Sequence, residues 1–127
     1  MTTVANYIAI QDSSTTLRPP GQFSNDFPDA HQFANFDAPS LNADFRPVLM
    51  FRVNPQLDEG ETVTVTFMLN SESISSQLFN TDMHPSWHEI FDANILQEQA
   101  NILVVNAHGL GAEVVISDVV IVYRLNI

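Results

Sequence analysis

The sequence lacks both cysteine and lysine, and its 127 residues include only 4 basic side chains, all of them arginines. Without cysteine there is no disulfide framework, no thiol nucleophile and no cysteine-ligated zinc. The 15 Asp and Glu residues outnumber the arginines and give a formal net charge of −11. Nucleic acids and anionic membrane surfaces both attract clustered basic side chains. We therefore expect neither a nucleic acid nor a membrane as a partner.

Glycine is also scarce, with 4 residues, so the sequence has few glycines from which a phosphate-binding loop could form. The sequence contains no Gly-x-Ser-x-Gly and no His-Glu-x-x-His motif. Carboxylates are plentiful, but no recognisable catalytic motif organises them. We therefore expect a protein that is not an enzyme.

Long apolar runs are missing as well. No stretch approaches the roughly 20 residues that a membrane-spanning helix needs. The first ten residues carry no basic side chain, so they do not read as a secretory signal. If Met1 is native, we expect the protein in the cytoplasm or in a particle assembled there.

The composition that is present is that of a folded protein, with 45% hydrophobic and 9% aromatic residues. Such apolar content argues against a disordered acidic tail. A length of 127 residues is typical of one compact unit, so we expect residues 1–127 to form a single domain.

Alternating hydrophobicity predicts short antiparallel strands. Between Thr62 and Leu69, apolar residues alternate with threonines and Met68, which is typical of a strand with one buried face. Val114 to Tyr123 is apolar on both faces, so this strand is central and covered twice, or one face meets another subunit. Further strands are predicted at residues 1–10, 48–53, 73–79, 87–91 and 102–107.

The segments between these strands also give predictions. Residues 11–21 read as a turn-rich stretch, and Asn54-Pro55 followed by Asp58-Glu59-Gly60 reads as a turn. Residues 108–111 read as a hairpin loop, and 92–99 as the one stretch that tolerates a helical turn. Residues 22–41 are irregular and contain four phenylalanines, which we expect to lie over the core and plug it. Those residues are Phe23, Phe27, Phe33 and Phe36. Many short strands without βαβ alternation predict an all-β fold, an antiparallel two-sheet β-sandwich of jelly-roll type.

The second half resembles the galactose-binding-domain-like jelly-roll sandwiches. The resemblance rests on a strand ending in Leu69-Asn70, then Trp87-His88-Glu89-Ile90, then Asn101 before an aliphatic run, and finally Asp118 before Val119-Val120. Ser71 stands where that pattern has glycine, and residues 98–100 replace a second glycine. The resemblance implies a non-catalytic module that binds sugars through loops at one end or holds a structural calcium ion. Asn70 is expected to support a tight turn and Asn101 to bond local backbone.

The densest cluster of polar and aromatic residues surrounds Trp87, the only tryptophan. Trp87 is either a core anchor or a platform on which a sugar ring stacks. His84 and His88 cannot share a metal, since Pro85 disfavours a helix and a strand would separate them by about 13 Å. The predicted ligand-binding residues are Asn80, Asp82, His84, Trp87 and His88.

Oxygen-bearing side chains in loops give a second candidate, a calcium site formed by Asp37, Asn42, Asp44 and Asp118. Their spacing lacks the regular Asp-x-Asp-x-Asp-Gly pattern, and solvated carboxylates are the alternative. Asp118 lies inside an apolar strand, so we expect it to be buried with a partner such as an arginine or bulge backbone donors.

Taken together, these patterns predict a carbohydrate-binding, lectin-like sandwich. The alternative is a structural subunit that self-assembles into a particle, filament or larger complex. The partner is then a carbohydrate or another protein. A homo-oligomer is expected in both cases.

Overall fold

The structure is a computed structural model that describes residues 3–18, 29–80, 86–109 and 113–126. These residues form eight strands and no helix. The strands are β1 (Thr3–Leu17), β2 (Ala30–Gln32), β3 (Val48–Gln56), β4 (Val63–Leu69), β5 (Glu72–Phe79), β6 (Ser86–Ile90), β7 (Leu103–Gly109) and β8 (Glu113–Asn126). Within the described ranges, therefore, no helix is long and apolar enough to cross a membrane.

The strands form two antiparallel sheets of four. Sheet A has the order β1-β8-β3-β6, and sheet B has the order β2-β7-β4-β5. The first strand pairs with the last, the second with the seventh, the third with the sixth, and the fourth with the fifth. This nesting is that of one long hairpin rolled up into two sheets, which is the jelly roll. The predicted fold class is confirmed.

The core lies between the sheets and is built from alternate residues of each strand. Val63, Val65, Phe67 and Leu69 of β4 are all 0% exposed, while the residues between them are half-buried. The rings of Phe67 and of Phe51 in sheet A lie 4.5 Å apart between centroids. The alternation predicted from sequence therefore gives the buried face of β4 directly.

The aromatic segment before β3 does cover the core where it is described. Phe33 is buried and Phe36 packs against the core cluster. Phe23 and Phe27 lie outside the described residues, so the prediction for them is untested. The segment is not irregular throughout, because β2 lies within it and pairs with β7.

Parts of two predicted turns are strand in the structure, namely residues 11–17 and Asn54-Pro55, while residues 19–21 lie outside the described residues. The turn predicted at residues 58–60 is present, with the Glu61 amide donating to the Asp58 carbonyl at 3.0 Å. β1 continues to Leu17, where Thr15 and Thr16 pair with β8 after register shifts around Gln11. β-branched residues favour this extended pairing, and it outweighs the turn-like composition of 11–21. β3 likewise continues through Pro55, which pairs with Val114. Because β6 pairs with β3 only as far as Arg52, the proline lies where it displaces no ladder hydrogen bond to β6.

Two further local predictions were wrong. Residues 92–99 form a turn and not a helix, with the Ile95 amide donating to the Asp92 carbonyl at 3.1 Å. The Asp92 carboxylate accepts from the Asn94 amide at 2.9 Å, a local bond that competes with helix formation. Residues 108–111 do not join a hairpin, because β7 belongs to sheet B and β8 to sheet A.

Asp118 interrupts β8 with a bulge. Its φ of 54° is left-handed, and the register between β3 and β8 shifts beside it. The alternation therefore changes phase: Val114 and Ile116 are buried before the bulge, and Val119 and Ile121 after it. The sequence pattern implied that residues 114–123 alternate between the two faces without interruption. That expectation was wrong, because the bulge at Asp118 inserts one extra residue.

Candidate functional site

The residues that carried the family resemblance have structural roles at one end of the sandwich. Asn70 and Ser71 form the two-residue turn between β4 and β5, both with positive φ, 51° and 72°. The Asn70 amide donates to the Ile95 carbonyl at 2.7 Å and accepts from the Ile102 amide at 2.9 Å. The tight turn expected at Asn70 is therefore confirmed.

Asn101 completes this end and is 0% exposed. Its side chain accepts from the Gln97 amide at 2.8 Å and donates to the carbonyls of Gln97 and Phe36 at 2.7 and 3.1 Å. It also accepts from Asn70 at 3.0 Å. These bonds satisfy buried polar groups, so this amide-tied end holds loops together.

The open edge between β5 and β6 combines aromatic and polar side chains. The Trp87 indole is half-buried, packs against the core and lies edge-on to Phe79 with centroids 6.1 Å apart. Its Nε1 donates to Glu89 Oε2 at 3.1 Å, and Gln77 Nε2 donates to the same oxygen at 3.4 Å. We call Gln77, Phe79, Trp87 and Glu89 the edge site. Both readings of Trp87 hold in part, since the ring is anchored in the core and also partly exposed.

Glu89 was not among the residues predicted from sequence. A signal for it exists, because Trp87 and Glu89 are two apart on β6 and so project from the same face of the strand. Gln77 reaches the site from the other sheet, across the gap between β5 and β6. That contact between sheets depends on the jelly-roll pairing, which sequence spacing alone does not show.

The structure divides the predicted ligand-binding residues. Asn80 is exposed and follows β5 directly, next to Phe79 of the edge site. His88 is exposed on the opposite face of β6 from Trp87, in register with Met50. Asp82 and His84 lie outside the described residues. Trp87 therefore lies in the edge site and Asn80 lies next to it in sequence, after Phe79. His88 lies on the outer face of sheet A.

A cavity of about 330 Å³ opens on the outer face of sheet A. Arg52 Nη1 and Asp118 Oδ2 lie 3.9 Å apart beside it, and both side chains are at least half exposed. Asp118 is therefore not buried, contrary to the expectation from sequence, because the bulge turns it to solvent; Arg52 is its arginine neighbour. The lining residues are Met50, Phe51, Arg52, Ser86, Trp87, Asp118 and Val120.

The four residues proposed for calcium do not fit such a site. Asp37 accepts from the Ala100 amide at 2.9 Å, and Asn42 accepts from the Asp44 amide at 3.0 Å. Calcium requires six to eight oxygen ligands around one point. Across the described ranges, no three His, Asp or Glu side chains lie close enough together to hold a metal ion. Asp37 and Asn42 instead stabilise loop backbone, and Asp118 lies beside Arg52.

No model of a known protein family matches the sequence, and no curated protein matches it. Solved structures do match. Dimeric latent PorU from Porphyromonas gingivalis matches with a TM-score of 0.66 at 10% identity, over 99% of this chain and 13% of PorU. The chain thus spans a small part of PorU.

Two of the other matches cover nearly the whole of both chains. The CBM36-1 domain of a multidomain xylanase, from the hindgut metagenome of Trinervitermes trinervoides, matches with a TM-score of 0.57 at 12% identity, over 96% of this chain and 100% of that one. A family 35 carbohydrate binding module from an environmental isolate matches with a TM-score of 0.53 at 13% identity, over 94% and 90%. At these identities the likeness shows the fold. The resemblance to galactose-binding-like jelly-roll sandwiches is confirmed at that level.

Proposed function

We propose that this protein is a non-catalytic carbohydrate-binding β-sandwich and that its ligand contacts the edge site. The fold is shared with a xylanase's CBM36-1 domain and with a family 35 carbohydrate binding module. Fold alone does not assign a ligand. The observation that carries the proposal is the partly exposed Trp87 indole, which donates to Glu89 at the open edge of the sandwich, where Gln77 donates to the same carboxylate oxygen.

The arrangement suits a sugar because it joins one aromatic ring to two planar polar groups. Sugar rings present apolar C–H faces that pack on aromatic rings, while their hydroxyls pair with carboxylates and amides. In the described part of the chain, both side-chain bonds to Glu89 fall on Oε2. Its Oε1 and the Gln77 side-chain oxygen are further acceptors to which sugar hydroxyls can donate.

The site is also preorganised. Because Nε1 is bonded to Glu89 and the ring packs against Phe79, the indole is held in one orientation before a ligand arrives. Less conformational entropy is then lost on binding than for a freely rotating side chain. A fixed aromatic ring on a strand is therefore a better platform than one on a mobile loop.

Charge narrows the class of sugar. The chain carries a formal net charge of −11, and Glu89 adds a carboxylate at the edge site itself. Acidic polysaccharides are repelled by such a field. We therefore expect neutral oligosaccharides as ligands, recognised through hydroxyl groups.

The only tryptophan makes the test specific to this site. Intrinsic fluorescence of the full chain is recorded during titration with a panel of neutral hexose and pentose oligosaccharides, so any tryptophan signal comes from Trp87. We expect a saturable change in emission. Binding is then measured by calorimetry for Trp87→Phe, which keeps an aromatic ring against Phe79, and for Glu89→Gln. Each variant should bind about tenfold more weakly, a loss of roughly 1.4 kcal/mol.

Leu78→Ala is the matched control, because Leu78 lies on β5 between Gln77 and Phe79 and is 61% exposed. This variant should bind as the parent does. Circular dichroism melts check that each variant is folded. No saturable binding across the panel, or equal binding by the parent, Trp87→Phe and Glu89→Gln, would contradict the proposed site.

A further inference from the structure

The outer face of sheet A is apolar across all four strands. Register places Tyr7, Val122, Val48 and Ile90 in one row, and Val120 and Met50 in the next. Tyr7 is 68% exposed, Ile90 58% and Met50 45%. We call these six residues the apolar face. They lie side by side, so they form one continuous surface and not isolated exposed side chains.

This surface is unusual for a chain of such negative charge. The two rows end at Ile90 and His88 on β6, and none of their positions is acidic. The charged pair Arg52 and Asp118 occupies the row below, at the 330 Å³ cavity. The border therefore carries Arg52 and Asp118 on one side and the exposed Arg124 on the other, and the Arg52 and Asp118 pair is complementary to itself.

The dimensions match a stable interface. Four strands at a spacing of about 4.8 Å, and about eleven residues of β1 at 3.3 Å each, give a projected area of about 700 Å². Side chains roughen this surface and increase its accessible area. A standard interface buries about 800 Å² on each partner. The outer face of sheet A, of which the apolar face is one part, is therefore large enough for a dimer.

We propose that two copies of this chain pair through the outer faces of their sheets A, with Arg52 of each copy beside Asp118 of the other. Two-fold symmetry requires a patch that is complementary to itself, and the Arg52 and Asp118 pair meets that requirement. Within one chain their atoms are 3.9 Å apart and both side chains are exposed, so either can turn to a neighbour. Two twisted sheets also pack face to face in a well-known geometry, at about −30°.

The proposed interface agrees with the prediction that one apolar face of β8 meets another subunit. Its Val120 and Val122 are half-buried on the outer side, although the core lies on the other side of the strand. Pairing of two copies would bury these residues together with Tyr7, Met50 and Ile90. The Trp87 side chain packs against the core, so the edge site lies mainly outside the interface, although Trp87 also lines the cavity beside Arg52 and Asp118.

Sedimentation equilibrium of the full chain tests the proposal. We expect a mass of twice 14.2 kDa at micromolar concentrations. Ile90→Glu should weaken the dimer at least about 100-fold, since it places a charge on the apolar face of both copies. Arg52→Glu should weaken it by about tenfold, because two like charges then meet across the axis.

Leu78→Glu is the matched control. It makes the same kind of change at a residue that is 61% exposed, but on sheet B, and it should leave the dimer intact. A parent protein that is monomeric up to roughly 100 μM overturns the proposal and assigns the face to another partner. A dimer that is broken by Leu78→Glu and not by Ile90→Glu also overturns it. Sugar binding is measured separately, so this result does not depend on the proposed function.

Discussion

The two sheets have nearly the same inner faces and very different outer faces. Sheet B presents hydroxyl and amide groups outward, and Thr66 and Ser76 bond across its strands at 3.1 Å. Sheet A presents valine, methionine, isoleucine and tyrosine, three of them 45 to 68% exposed. The outward residues of sheet B include the polar Gln32, Thr64, Thr66, Ser76 and Asn106, and its outward apolar residues are Met68, Leu78 and Val104, of which Leu78 is 61% exposed.

This contrast separates what the fold requires from what it leaves free. A jelly roll needs alternate residues of every strand to be apolar on the side of the core, and both sheets meet that need. The outer faces are not fixed by the core, so their chemistry reflects what each face meets. We read sheet B as a solvated face and sheet A as a face that meets another protein surface.

The largest expected effect comes from the amide-tied end beside sheet B. Asn101→Ala removes a fully buried side chain and leaves backbone groups of Gln97 and Phe36 without their partner. We expect the free energy of unfolding to fall by about 3 kcal/mol, since each buried unsatisfied group costs about 1 to 3. Asn106→Ala, on the outer face of the same sheet, should cost no more than about 0.5 kcal/mol. Urea unfolding measures both, and equal losses would remove the distinction between inner and outer amides.

The next effect tests the bulge that sets the outer face of sheet A. Asp118 has a φ of 54°, which β-branched residues rarely adopt. We expect Asp118→Val to lower the free energy of unfolding by about 2 kcal/mol, because it strains or displaces the bulge. Asp118→Asn should stay within about 0.5 kcal/mol of the parent, since asparagine tolerates this region. A valine variant as stable as the asparagine variant would show that the bulge does not depend on this residue.

The smallest effect concerns the turn of sheet B where glycine was expected. Ser71 has a φ of 72°, so Ser71→Gly should relieve strain and raise the free energy of unfolding by about 0.5 to 1 kcal/mol. Ser73→Gly, inside β5, should instead lower it by a similar amount. Thermal unfolding of the two variants distinguishes them. If both changes destabilise the protein, strain at Ser71 is not the cause.

Much of this architecture follows from sequence, because alternation reports directly on one buried face. The strands from β3 to β8 and the buried residues of β4 were predicted at nearly the observed positions. The phase of β8 beyond Asp118 was not, since a bulge inserts one residue without changing composition. The end of β1 was also missed, because Ser and Thr suit both turns and paired strands. That residues 1–127 form one domain stays a prediction.

The candidate site was predictable only in part. Trp87 stood out as the single tryptophan. The sequence left open whether it is a core residue or a surface residue, and in the structure it lies at a sheet edge, packed against the core and partly exposed. Glu89 lies two residues from Trp87 on the same face of β6, a spacing that could have indicated it, whereas Gln77 belongs to the other sheet and meets Glu89 only after the chain has rolled up. Contacts between sheets depend on the order in which the strands pair, and the spacing of residues in one sequence does not predict that order.

The most direct measurement is the indole ¹H–¹⁵N resonance of Trp87, which has no counterpart elsewhere in the chain. Carbohydrate binding at the edge site predicts that a neutral oligosaccharide shifts this resonance in a saturable way, together with the side-chain amide of Gln77. The outer face of sheet B should show no comparable shifts. An oligosaccharide that binds while the Trp87 indole resonance stays unchanged would contradict the proposed site.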